Sequence, residues 1–231
     1  MIREPGDLAA RLADMARILL RQRTVQDTLD AITELAVEII DPCDYAGILV
    51  ADRHGRIVTT AASHDVVEKS DALQAEFREG PCFDALRRDE IVEIADMGRE
   101  PRWPRYTSRA ARLGIGSALG FQLSIDEDDA LGALNLYGAG PHAFGERSGQ
   151  IGVVFAAQAA VALARARTEA QLKEAISTRT LIGEATGILM ERHKLRSDEA
   201  FGLLRRASQH ANVKLREVAR RVVETGEEPL A

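Results

Sequence analysis

Ser117-Ala118-Leu119-Gly120-Phe121-Gln122-Leu123-Ser124-Ile125, then Asp126-Glu127-Asp128-Asp129, then Leu131-Gly132-Ala133-Leu134-Asn135-Leu136-Tyr137 reads as two short strands joined by an acidic turn. Upstream, Tyr45–Val50 and Ile57–Thr60 flank Asp52-Arg53-His54-Gly55 and predict a first hairpin. Between the hairpins lie helical stretches at Val66–Phe77 and Cys82–Arg88, a short strand at Ile91–Ile94 and a loop holding Pro101, Trp103 and Pro104. Helical periodicity also marks Leu8–Leu20 and Val25–Ile40, the second with Thr24 as a plausible N-cap. From Glu146 to about Arg192 nothing stops a helix; Gly149, Gly152, Gly183 and Gly187 only weaken it. Two antiparallel hairpins separated by a crossover specify an α+β fold with an antiparallel or mixed sheet, not a doubly wound parallel one.

Composition bounds the function classes. At 231 residues, 45% hydrophobic and 29% charged, the chain reads as globular. The apolar runs read from the sequence fall short of the ~18 residues that span a bilayer, and the N-terminus turns acidic where a signal peptide would become apolar. The expectation is a cytoplasmic protein with no membrane partner. No P-loop, nucleophile elbow, HExxH or dinucleotide fingerprint is present, so no catalytic residue is assigned and no enzyme is expected. Cys43 and Cys82 supply neither a disulfide scaffold nor a four-ligand zinc site, and no metal site is expected. The plain reading is two buried thiols. For Cys82, behind Gly80-Pro81, a second reading stands: a helix N-terminus lowers a thiol pKa, which suits redox or ligand sensing.

Charge is unevenly spread. The net charge is −6, but residues 177–231 hold ten Lys/Arg against eight Asp/Glu, which leaves 20 and 28 in residues 1–176. The two parts carry +2 and −8. A locally basic face on an acidic chain suits phosphate attraction without general stickiness, and equally an ordinary solvated helix pair. Thr178–Met190 has a helical apolar stripe, His193-Lys194-Leu195-Arg196 breaks it, and Ser197 is a good N-cap for a second helix burying Ala200, Phe201, Leu203, Leu204 and Ala207. A third short helix spans about Leu215–Val223.

Residues 24–165 resemble a GAF domain, most closely at Leu131–Tyr137, the loop with Phe144, and Gln150–Ala164. The resemblance implies a sheet covered on one face by terminal helices, with a pocket on the other that takes a small molecule in many members. No cofactor is evident; an unidentified small-molecule ligand of the GAF domain stays open. The later text Arg179-x-x-Ile182-x-x-Ala185-x-Gly187-Ile188-Leu189-Met190, Ala200-Phe201-x-x-Leu204-Arg205-x-x-Ser208-Gln209 and Asn212-x-Lys214-Leu215-x-x-Val218-Ala219 resembles an ANTAR domain. The chain then divides into an N-terminal helix (1–23), the GAF-like part (24–165), a helical linker with the three-helix ANTAR module (166–226), and a tail (227–231).

The ANTAR resemblance implies a transcription antiterminator that binds tandem hairpins in nascent RNA. The candidate RNA contacts are Arg179, Lys194, Arg205, Ser208, Gln209, Asn212, Lys214 and Arg216, the last two suited to backbone phosphates at the start of the third helix. Independently, Arg205, Ser208, Gln209 and Asn212 recur at helical spacing and so line one face, with Arg suited to phosphates and base edges and Gln and Asn to bases. No aromatic is read on that face, so stacking falls to Arg205. Val154, Val161, Leu172, Ala175, Ile176 and Ile182 form an imperfect stripe compatible with a parallel coiled-coil homodimer, and equally with a cover helix of the sheet. The alternative from another class is a DNA-binding regulator with a GAF sensor, since the last two helices resemble a helix-turn-helix.

Overall fold

The computed structural model of the chain describes residues 5–51, 57–81, 91–125 and 130–227. The element order is α1 (Pro5–Leu20), α2 (Val25–Ile39), β1 (Tyr45–Ala51), β2 (Ile57–Ala62), α3 (Asp65–Phe77), β3 (Val92–Ile94), α4 (Pro104–Arg112), β4 (Ser117–Ser124), β5 (Ala130–Gly138), α5 (Glu146–His193), α6 (Ser197–Ala211) and α7 (Leu215–Thr225). The chain forms two compact units, Met1–Arg167 and Thr168–Ala231, and the boundary falls inside α5. The turn residues 52–55, the acidic turn 126–129, the stretch 82–90 with Cys82, and residues 228–231 of the tail lie outside the described residues.

In the first unit both hairpins form and join edge to edge. The five-stranded sheet has the order β2-β1-β5-β4-β3, and each described pairing is antiparallel. Leu134 sits opposite Ile48 on one side and Phe121 on the other. Period-two alternation sends Leu134 and Leu136 to one face and Ala133 and Tyr137 to the other. Leu131 breaks that parity. Gly132 pairs Leu123 and Ala130 pairs Ser124, so Leu131 is the extra residue of a bulge, re-aimed toward the Leu134 face.

On the Leu134 face lie α1, α2 and the first part of α5. Thr24 caps α2 through a reciprocal box: Asp27 N donates to Thr24 Oγ1 at 3.0 Å and Thr24 N donates to Asp27 Oδ2 at 3.2 Å. Ile151, Phe155, Ala159 and Leu163 recur every four residues of α5 and are buried with Ile32, Ile39, Phe121 and Leu134. Gly152 has a packing role beyond weakening the helix. A Cβ there would lie 2.2 Å from Phe121 Cζ, so glycine is what lets α5 approach β4.

The same helix corrects the hydropathy expectation. One 18-residue window of α5 is long and apolar enough, with mean hydropathy 1.3, to cross a membrane by length and composition. Within α5, Ile151 to Leu163 supply six buried core residues packed with the sheet, the ordinary use of such apolarity in a core helix.

The opposite face is covered by α3 and α4. The sequence predicts only a loop where α4 forms. Its start is Pro104, whose fixed φ suits the first helical position, and it buries Tyr106, Thr107 and Ala110.

In the second unit, α5, α6 and α7 enclose a small core of Ala185, Leu189, Ala200, Leu204, Ala207, Val218, Ala219 and Val222. The break after α5 is closed by Lys194 in the left-handed region, φ 54°, and Leu195 N donates to Met190 O at 3.2 Å. Arg196, not Ser197, occupies the cap position of α6; its backbone N donates to Glu199 Oε2 at 2.9 Å. Asn212, at φ 52°, ends α6. Because a lysine at positive φ carries roughly 1 kcal/mol of steric cost that glycine does not, Lys194→Gly is expected to stabilise the second unit by about that amount. An unchanged or lower urea midpoint would show that the turn is not strained.

Candidate nucleic-acid interface

The predicted contact residues divide according to what each already holds. Ser208 is half-buried and locks the turn between α6 and α7: its hydroxyl donates to Val213 O at 2.6 Å, while Val213 N donates to Ser208 O at 3.1 Å. Asn212 supplies the left-handed cap. Arg216 pairs with Glu174 of α5 and lies 3.5 Å from Glu217. The other cations of α7 are also paired, Arg220 with Glu217 at 2.8 Å and Arg221 with Glu227 at 3.6 Å. Lys194 pairs with Glu191.

Arg179, Arg205, Gln209 and Lys214 differ. All are exposed, and among the described residues none has an ion pair or a side-chain hydrogen bond. A surface cation without a carboxylate partner is the form in which phosphate attraction is least opposed.

The geometry gathers part of this set. A groove of about 660 Å³ in the second unit is lined by Gln171, Glu174, Ala175, Thr178, Arg179 and Ile182 of α5, by Phe201 of α6, and by Lys214 and Arg216 at the start of α7. Arg179, Lys214 and Arg216 thus share one concavity. Lys194 lines a different one, with Glu184, Gly187, Ile188, Glu191, Arg192 and Val223.

Phe201 corrects the expectation of burial. It is 39% exposed and opens onto the first groove. The reason is angular: Ala200, Leu204 and Ala207 fill the core stripe of α6, which turns Phe201 onto the neighbouring stripe with Arg205, Ser208 and Asn212. An aromatic ring therefore sits one turn before Arg205 on the face where none was read.

The first unit holds a second polar constellation, beneath α3 and α4. Asp71 Oδ2 accepts from Thr59 Oγ1 at 2.8 Å, and Oδ1 accepts from Tyr137 Oη at 3.2 Å and Gln74 Nε2 at 3.3 Å. Asn135 Nδ2 donates to Tyr137 Oη at 3.3 Å, and Ser70 Oγ lies 2.9 Å from Tyr106 Oη. Burial pushes the Asp71 carboxyl up to about 7, against the pull of these hydrogen bonds and with help from the Glu68 charge. Burial also pushes the Cys43 thiol up to about 12, so Cys43 is an inert buried thiol. Cys82 lies outside the described residues.

A family model described as the GAF domain matches residues 22–164, and one described as the ANTAR domain matches residues 170–223. No curated protein matches the chain. Among solved structures, the chain is similar to the GAF domain of a phosphoenolpyruvate-protein phosphotransferase from Acinetobacter, with 17% identity, a TM-score of 0.54, and coverage of 71% of this chain and 97% of that one. The corresponding domain from Coxiella burnetii gives 22%, 0.55, 71% and 96%. The phytochrome photosensory core module of Stigmatella aurantiaca gives 12%, 0.60, 90% and 46%. At such identities the likeness is one of fold. The family models and the sheet between its helical layers agree: the chain belongs to the GAF domain family over residues 22–164 and carries an ANTAR domain over residues 170–223.

Proposed function

We propose that this chain is a non-enzymatic, cytoplasmic transcription antiterminator that binds tandem hairpins in nascent RNA through its ANTAR domain, under control of its GAF domain. The observation that carries the reading is the unpaired set on the second unit, Arg179, Arg205, Gln209 and Lys214, within the span of the ANTAR match. The protein works as a homodimer, so that two modules engage two hairpins with avidity. Supporting this, Val161, Leu172 and Ile176 on α5 are 62%, 58% and 67% exposed, large apolar side chains on one long helix of the kind a parallel partner helix covers. A small molecule bound by the GAF domain would bias the equilibrium between arrangements of that helix.

The test is a gel-shift series with paired hairpins, a single hairpin and duplex DNA, each across a salt range. Paired hairpins are expected to bind best. Arg205→Ala is expected to weaken binding roughly tenfold, the loss of one charge-assisted contact, and to lower the slope of log K against log salt by just under one. Preference for duplex DNA would instead make this a DNA-binding regulator, and an unchanged slope in Arg205→Ala would remove that residue from the phosphate contacts.

A further inference from the structure

The groove on the second unit combines features that the RNA reading does not by itself require. Its lining includes an exposed aromatic ring, Phe201, and the apolar Ala175 and Ile182. The same lining includes Arg179 and Lys214, both without a carboxylate partner among the described residues, while Arg216, also in it, is held by Glu174. Lys214 also stands at the cap position of α7 without any side-chain cap, so the first-turn amides of that helix add to the positive potential there.

A groove lined by an exposed aromatic ring, apolar side chains and uncompensated cations is complementary to a flat heterocycle linked to phosphates, and not to a wholly apolar helix. We infer that Phe201 is a stacking platform for one unpaired base of a hairpin loop, with Arg179 and Lys214 holding the phosphates that flank it. This inference rests on the RNA reading above and adds the base-stacking contact to it. Unpaired loop bases are the part of an RNA hairpin that a protein reaches by stacking, whereas the A-form stem hides its bases in a narrow groove.

The experiment uses the full chain and a paired-hairpin RNA with 2-aminopurine placed in turn at each loop position. Binding by the parent is expected to quench one of these probes strongly. Phe201→Leu, conservative for a side chain outside the core, is expected to abolish that quench and lower affinity roughly tenfold or more, the scale of one stacked base. Its salt slope stays at the parent's value, because no charge is lost. Phe201→Tyr is expected to keep both quench and affinity, and it serves as a second probe should the leucine variant fail to fold. Parent-like quench and affinity in Phe201→Leu would overturn the stacking role while leaving the RNA reading intact. Failure of the parent to bind RNA would remove both. A shift of Phe201→Leu toward monomer, with RNA affinity per chain unchanged, would assign the groove to a second copy of this chain and overturn the proposal.

Discussion

Asp71→Asn is expected to raise the stability of the first unit above pH 7 and to remove most of its dependence on pH between about 4 and 7. The carboxyl is pushed up to about 7 in the folded chain from an ordinary 3.8, with burial as the largest cause. Between those values the folded state keeps the proton and the unfolded state has lost it. The folded state therefore binds more protons, and stability falls as pH rises through the window. The contribution is fully present below about 4 and gone above about 7. At ~1.4 kcal/mol per pH unit, the span corresponds to an upper limit of roughly 4 kcal/mol. Asparagine preserves the cluster: its oxygen accepts from Tyr137 and Gln74 as Asp71 Oδ1 does, and its amide faces Thr59 Oγ1, a hydroxyl able to accept. Urea midpoints at pH 4.5, 6 and 8 measure the effect. Parallel pH profiles for parent and variant would show that Asp71 is not a buried neutral acid.

Much of the fold was legible because its signals are local. The two hairpins, the capping box at Thr24 and the long uninterrupted α5 are each written within a few residues of themselves. What escaped depends on partners far along the chain. Asp65–Phe77 has the texture of a solvent-facing helix, yet Ser70, Asp71 and Gln74 are buried. The hydroxyls that receive them, on Tyr106 and Tyr137, lie 36 and 66 residues away from Ser70 and Asp71. No spacing rule reaches that far. Helix α4, Pro104-Arg105-Tyr106-Thr107-Ser108-Arg109-Ala110-Ala111-Arg112, is short and poor in strongly apolar residues; its signals are Pro104 as an opening residue and the helical spacing of Tyr106, Thr107 and Ala110 against Arg105, Arg109 and Arg112. For Phe201 two sequence signals conflict, the burial preference of phenylalanine and its angle on α6, and the angle prevails. At the candidate interface the residue types and their shared helix face were readable. Which cations are already paired, and which stand free, was not, because pairs such as Arg216 with Glu174 join separate helices.

The interface depends on a core with little reserve, and Leu204→Ala is expected to expose that. Half of the eight buried residues enclosed by α5, α6 and α7 are alanines, so Leu189, Leu204, Val218 and Val222 are the large side chains at its fully buried centre, with partly buried hydrophobics such as Leu181, Ile188 and Leu203 packed around them. Leu204 is fully buried in this core. Truncating a buried leucine to alanine costs about 3 kcal/mol through lost transfer energy and the cavity left behind. A unit spanning Thr168–Ala231 has a total stability on the order of 5 kcal/mol, so the loss takes most of it. Hydrogen exchange read by mass spectrometry is expected to show residues 181–223 losing protection while residues 25–51 and 130–164 keep theirs. RNA binding is expected to fall with it, and cooling is expected to restore part of the binding. Phe201→Leu offers the contrast, since its effect belongs to the groove and leaves protection of 181–223 intact. Parent-like protection in Leu204→Ala would mean that this core has reserve beyond its packing, and the ordering of Arg179, Arg205 and Lys214 would then need another source.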